Sequence, residues 1–291
     1  MKTTAEKTTI TVSAKIKAPI EKVWEFWSEP KHITQWNAAS IDWHSPWAQN
    51  DLRAGGRFTA RMEARDGSSG FDFGGVYDIV KPLQEIAYTM DDGRKVHISF
   101  EQNGDYTTVT ETFEAENEYS HEFQKSGWQA ILDNFKKYVE SPFERLHFEI
   151  EIDATPEKIA RIMLEEKYSE WTSAFNPSSR YEGSWEKGSK ILFIGEEDGK
   201  EGGMVSRISE HIPSRFVSIE HIGFLQNGEE VTSGNEVEAW KGAQENYTFL
   251  PVEGSKTQVR VDLDITQEHK SYFLNTWPLA LEKLKTLCET P

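Results

Sequence analysis

Asp42-Trp43-His44 puts a carboxylate, an indole and an imidazole in three consecutive residues, inside a turn-rich stretch from Asn37 to Gly55. Histidine titrates nearest to neutral pH, and a neighbouring carboxylate can tune it as a proton donor or acceptor. Against that stands the plainer reading of a solvated loop histidine. The acidic pairs Asp91-Asp92 and Glu196-Glu197 run towards glycines and read as turn residues first, general acids or bases second. A broader set is aromatic: Trp36, Trp43, Trp47, Phe58, Phe71, Phe73, Tyr77, Tyr88 and Trp128. Such rings fill a core or line a pocket, and several of these are expected to touch an apolar ligand. The expected ligand-contacting set takes these rings without Trp47 and adds His44, Leu132, Trp185, Trp277 and Leu281. No residue is assigned a catalytic role.

No signature of covalent or phosphoryl chemistry accompanies them. The chain lacks Gly-x-Ser-x-Gly, a phosphate loop, His-Glu-x-x-His and Cys-x-x-Cys. Gly188-Ser189-Lys190 resembles the end of a phosphate loop but misses its first glycine, so it reads as a turn ahead of a strand. The eight histidines are scattered and Cys288 is the sole cysteine, so no metal, no cofactor and no intrachain disulfide are expected. A single cysteine and a polar start from Met1 to Thr9 suit a cytoplasmic protein. No apolar run is long enough to cross a bilayer. The formal charge is -17, from 32 basic and 49 acidic residues. Up to Ser141, 16 basic and 22 acidic residues give -6, leaving -11 for the rest. A field of that sign repels phosphate backbones and anionic lipid, which removes nucleic acid and membranes as expected partners.

The elements that must position these side chains occur twice. Ala18 to Trp27 is echoed by Ala154 to Met163, and Gly127 to Glu140 by Thr276 to Glu289. Each half opens with an alternating strand, carried by Ile10, Val12, Ala14 and Ile16 and by Leu146, Phe148, Ile150 and Ile152. In the first half Pro19 starts a short helix over Ile20 to Trp27, and a second short helix runs from Lys31 to Trp36. Alternating runs then predict an antiparallel meander with turns at Asp66-Gly67, Asp92-Gly93 and Asn103-Gly104. Phe71, Phe73, Tyr77 and Ile79 are expected on one face. After Phe113 the period becomes helical, with a stripe of Trp128, Leu132, Phe135 and Val139 in a helix over Ser120 to Ser141. Gly127 in that helix suggests a close neighbour. The second half repeats the order, its terminal stripe being Trp277, Leu281, Leu284 and Cys288. Pro278 there predicts a helix that begins or kinks at that point.

The expectation is an α+β chain of tandem helix-grip domains, residues 1–141 and 145–291. In each, two short helices follow the first strand, and a curved antiparallel sheet wraps a long C-terminal helix. A bent sheet cannot press evenly on a straight helix, and the mismatch leaves room for a ligand.

Ala18-Pro19, Val23-Trp24, Trp36-Asn37, Gly55-Gly56-Arg57-Phe58, Gly74-Gly75-Val76-Tyr77-Asp78 and Gly127-Trp128-Gln129-Ala130-Ile131-Leu132 together resemble one family. It is the bacterial branch related to the activator of the 90-kDa heat-shock protein ATPase, within the START-like SRPBCC superfamily. The resemblance covers most of residues 8 to 141. The second half is similar to the same superfamily, keeping Gly188, Gly202-Gly203 and Trp277 but lacking Trp24 and the Gly-Trp-Gln start of the helix. The resemblance implies a helix-grip fold and a pocket for a hydrophobic or amphipathic small molecule. Some members of the superfamily are cyclases, hydrolases or lipid carriers. Three readings follow: a tandem small-molecule-binding protein; a cyclase- or hydrolase-type enzyme using His44 or a buried carboxylate as proton shuttle; and a protein-interaction module of the chaperone-activator type.

Overall fold

The computed structural model describes residues 8–290 and divides the chain into two compact units between Ser141 and Pro142. Each unit has its own apolar core.

In the first, β1 (Thr9–Ile16) is followed by α1 (Ile20–Ser28) and α2 (Pro30–Trp36). Pro30 is the first residue of α2, where its missing N–H costs nothing. Two short strands, β2 (Trp43–His44) and β3 (Ala48–Asn50), order part of the turn-rich stretch. The meander follows as β4 (Arg57–Ala64), β5 (Gly70–Lys81), β6 (Glu85–Met90), β7 (Lys95–Asn103) and β8 (Tyr106–Glu114), and α3 (His121–Glu140) closes the unit. Strand order is β1-β8-β7-β6-β5-β4-β2, with β3 also on β4. The Asp92-Gly93 turn between β6 and β7 has Gly93 at φ +84°, the left-handed geometry a tight hairpin requires. Ser120 caps α3, its Oγ accepting from the N–H of Phe123 at 3.2 Å. Leu132, Phe135 and Val139 are fully buried along one stripe of α3.

Two expectations for this unit fail in detail. The register slips between Tyr77 and Ile79, a bulge that turns Ile79 outward, 38% exposed, and brings Val80 against the core instead. A Cβ at Gly127 would meet nothing within 4 Å, so no close neighbour accounts for that glycine.

The second unit comprises β9 (Glu144–Ile152), α4 (Pro156–Arg161), a π-helical turn (Ile162–Glu166), α5 (Tyr168–Thr172), β10 (Arg180–Gly183), β11 (Lys190–Glu197), β12 (Lys200–Ile212), β13 (Phe216–Gln226), β14 (Glu229–Val231), α6 (Asn235–Glu238), β15 (Gln244–Pro251), β16 (Thr257–Ile265) and α7 (Lys270–Glu289). Its sheet order, β10-β11-β12-β13-β15-β16-β9 with β14 on β13, reproduces that of the first unit read from the other edge. Both units are helix-grip domains. Buried threonines fix the correspondence: Thr107 Oγ1 donates to Ala18 O at 2.8 Å, and Thr257 Oγ1 to Ala154 O at 2.7 Å. The helix α7 begins eight residues before Pro278 and runs through it. Leu274, whose carbonyl loses its intrahelical donor, and Pro278 are both exposed, so water can meet the orphaned oxygen.

Candidate functional site

The second domain contains a cavity of about 1270 Å³ walled by the sheet's inner face, α5, α7 and the segment around Trp240 and Ala243. That exceeds the ~300–1,000 Å³ usual for small-molecule sites. A matching row of inward side chains runs across each sheet, and of the second domain's row Glu245 and Leu263 border the cavity. Across the first sheet the row reads Tyr77, Tyr88, Val96, Phe113, Ile10; across the second, by the same pairings, Ile208, Ile219, Glu245, Leu263, Leu146. Three rings become aliphatic. In the first domain Trp128 stacks on Phe113, centroids 4.0 Å apart, with Phe73 at its edge. The matching Trp277 faces a domain in which that ring is Leu263, and both line the cavity.

Close approach of neighbouring strands requires glycine at two points. A Cβ on Gly203 in β12 would sit 1.9 Å from Phe193 O of β11, so only glycine permits this approach. Gly75 plays the same part in β5, with Thr89 O of β6 at 2.5 Å from its would-be Cβ.

Aromatic side chains in the wall include Tyr168, Trp171, Phe175, Phe193, Tyr247 and Trp277. Trp277 packs edge-on to Phe175 at 5.1 Å, and Tyr168 lies over Phe193 at 6.0 Å. Trp171 is pinned by its indole N–H, which donates to Met163 O at 2.8 Å within the π-helical turn, a geometry often found near functional sites. The indole N–H of Trp277 is buried with no acceptor among the described residues, an unmet donor in the wall.

One polar chain crosses this apolar surface. Ser206 Oγ lies 2.9 Å from His221 Nδ1, and His221 Nε2 is 3.7 Å from Glu245 Oε2. Tyr247 donates its hydroxyl to Glu245 Oε1. His221, Glu245 and Tyr247 line the cavity, whereas Ser206 is fully buried behind the histidine and is not part of the wall. Burial holds the Tyr247 and Tyr168 hydroxyls well above the usual phenol range, with the Glu245 carboxylate adding to both. The arrangement orients an imidazole and a carboxylate toward whatever occupies the cavity. The exposed Glu196, Glu197, Asp198 and Lys200 stand at the rim.

Of the residues expected to contact a ligand, Trp277 is in this wall. Trp185 packs on Tyr181 and Phe193, and Leu281 is buried in the core. In the first domain Phe58, Tyr77 and Tyr88 form one cluster, with Phe58 4.7 Å from Tyr88. Phe73 packs between Phe58 and Trp128, and Trp36 against Trp27 and Phe135. Leu132 is buried in the same core. Trp43 meets Phe71, which is 52% exposed, outside that cluster. His44 is mostly buried, its Nε2 3.9 Å from Glu63 Oε2 on the neighbouring strand.

Sequence reasoning missed Glu111, His221 and Glu245. Glu111 occupies an inward position of β8 between Val109 and Phe113, and has no hydrogen-bond or ion-pair partner among the described residues. Burial alone pushes its carboxyl up to about 8. The signal was available: each of Glu111, His221 and Glu245 is a polar residue at an apolar parity of a strand.

A family model described as activator of Hsp90 ATPase homolog 1-like protein matches residues 17–140. An AHSA1-like protein from Aeromonas hydrophila is 47% identical over 46% of this chain and 92% of its own, with TM-score 0.44. A protein from Cytophaga hutchinsonii is 56% identical over 45% and 92%, with TM-score 0.42. The di-domain ARO/CYC StfQ from the steffimycin biosynthetic pathway is 11% identical over 96% and 97%, with TM-score 0.43. No curated protein matches the chain. Through its first domain, the chain belongs to the family of activator of Hsp90 ATPase homolog 1-like proteins.

Proposed function

We propose that this is a tandem small-molecule-binding protein whose working cavity lies in the second domain, between α7 and the concave sheet, and takes one amphipathic molecule. The observation that carries the reading is the cavity itself: a cluster of aromatic rings in its wall, with His221, Glu245 and Tyr247 beside them and an acidic rim. Aromatic walls supply affinity through buried area, and His221, Glu245 and Tyr247 fix orientation. Native mass spectrometry of the full chain purified without denaturant tests it, together with calorimetric titration of apolar probes. A retained mass or one-to-one binding, lost on Ala243→Trp, is the expected result. No retained molecule and no saturable binding by any probe overturns it.

A second reading, acid–base catalysis in the same cavity, is favoured by the Ser206–His221–Glu245 chain. With Nδ1 occupied by Ser206, His221 has Nε2 left for proton transfer in concert with Glu245. Solvent deuterium exchange into enolisable ketones and hydrolysis of hydrophobic esters would report it. Turnover abolished by His221→Asn supports catalysis, and no turnover of either class by the parent protein removes it.

A further inference from the structure

We propose that the second-domain cavity selects a hydrophobic organic cation, an amphiphile whose positive head is a quaternary or protonated amine. This deepens the binding reading above and rests on it.

Two independent features of the wall point to positive charge. The first is the aromatic lining. Tyr168, Trp171, Phe175, Tyr247 and Trp277 form one linked cluster of rings in the wall, with Phe175 its partly exposed member, and aromatic rings attract cations through their quadrupoles. The second is the balance of charged groups. Six carboxylates line the cavity or its rim, Glu196, Glu197, Asp198, Glu201, Glu245 and Asp264, against one lysine, Lys200, and no arginine. Asp264 is held by Arg145 at 2.7 Å and Glu201 by Arg180 at 2.5 Å. That leaves Glu245 as the interior carboxylate without a permanent cation among the described residues. Its partners are the Tyr247 hydroxyl and His221, and the latter carries charge only when protonated. In the first domain the corresponding position is Val96, so the charge at 245 is peculiar to the hollow domain. A partly buried carboxylate pays desolvation, and a ligand cation offsets it where Coulomb attraction is least screened. The rim acids add a field that concentrates cations at the mouth.

Calorimetry on the full chain with three matched probes tests this: 2-(1-naphthyl)ethyl-trimethylammonium, its neutral carbon isostere 1-(3,3-dimethylbutyl)naphthalene, and 3-(1-naphthyl)propanoate. The cation is expected to bind at least about tenfold tighter than the isostere, with the anion weakest. Glu245→Gln is expected to shrink the cation-to-isostere ratio to about threefold or less, and Glu245→Asp to restore part of it. Equal affinity for cation and isostere, or a ratio untouched by Glu245→Gln, overturns the cation preference while leaving the binding cavity standing. Tightest binding of the anion overturns it too. Failure of all three probes to bind overturns the cavity reading and this one together.

Discussion

Glu111 is held where a carboxylate is least welcome. Its neighbours along the inner face are Val12 and Ile98 on the adjoining strands, and burial raises its pKa from 4.5 to about 8. The consequence has a definite sign. The folded domain keeps the proton while the unfolded chain releases it above pH 4.5, so stability falls as pH rises from there to about 8, then levels off. The slope is about 1.4 kcal/mol per pH unit for one proton, a loss on the order of a few kcal/mol across the window. Thermal unfolding from pH 5 to 9 should show the first domain melting progressively lower, and Glu111→Gln should flatten that trend. An unchanged pH dependence in the variant would assign the loss to other groups. With open space where a Cβ would stand, Gly127→Ala should stabilise α3 by about 1 kcal/mol, seen as a raised urea midpoint with unchanged slope. A destabilised variant would mean that the glycine serves a purpose packing does not reveal.

At the level of strands and helices, the two domains run the same design with different fillings. Phe113 lies over Trp128, whereas the matching Leu263 and Trp277 border the cavity, with Trp277 packed among Phe148, Trp171, Phe175 and Tyr247. Leu263→Phe should therefore crowd the cavity wall and cut affinity for any probe at least about tenfold. Unaltered affinity in a folded variant would place the ligand elsewhere. The doubled order of elements was legible from alternation and repeats, because strand period and helix period are set by backbone geometry and each core demands its apolar face. Even helix ends were readable, Ser120 and Ser141 flanking α3 as capping residues. The site was less legible, for a physical reason. Aromatic density drew attention to Phe58, Tyr77 and Tyr88, yet these rings pack on one another. The cavity is bordered by Glu245 and Leu263 where the first domain has Val96 and Phe113, a difference that shows only once the register of the two sheets is known. The bulge at Tyr77 likewise inverted the parity of Ile79, which no alternation count anticipates.

For the chain as a whole, the binding reading proposed above lets the second domain carry a cavity without the first having to. Filling a core with rings raises stability, while keeping a cavity forfeits it, at ~24 cal/mol per Å³ in core-truncation series. Void on the scale of the second domain's cavity is part open to water, so the full penalty does not apply, but the direction holds. The second domain carries the cavity and most of the charge, -11 of -17. Since each unit has its own core, we expect residues 1–141 expressed alone to fold and to unfold cooperatively, with the pH dependence set by Glu111 retained. Residues 142–291 alone should keep the probe affinity of the full chain and should lose their unfolding transition at lower denaturant than the first piece, unless a ligand is added. Saturating probe at one hundred times its dissociation constant should then raise the stability of the second piece by about 2.7 kcal/mol and leave the first unmoved. A single coincident transition in the full chain, shifted as one by the ligand, would contradict this division of labour.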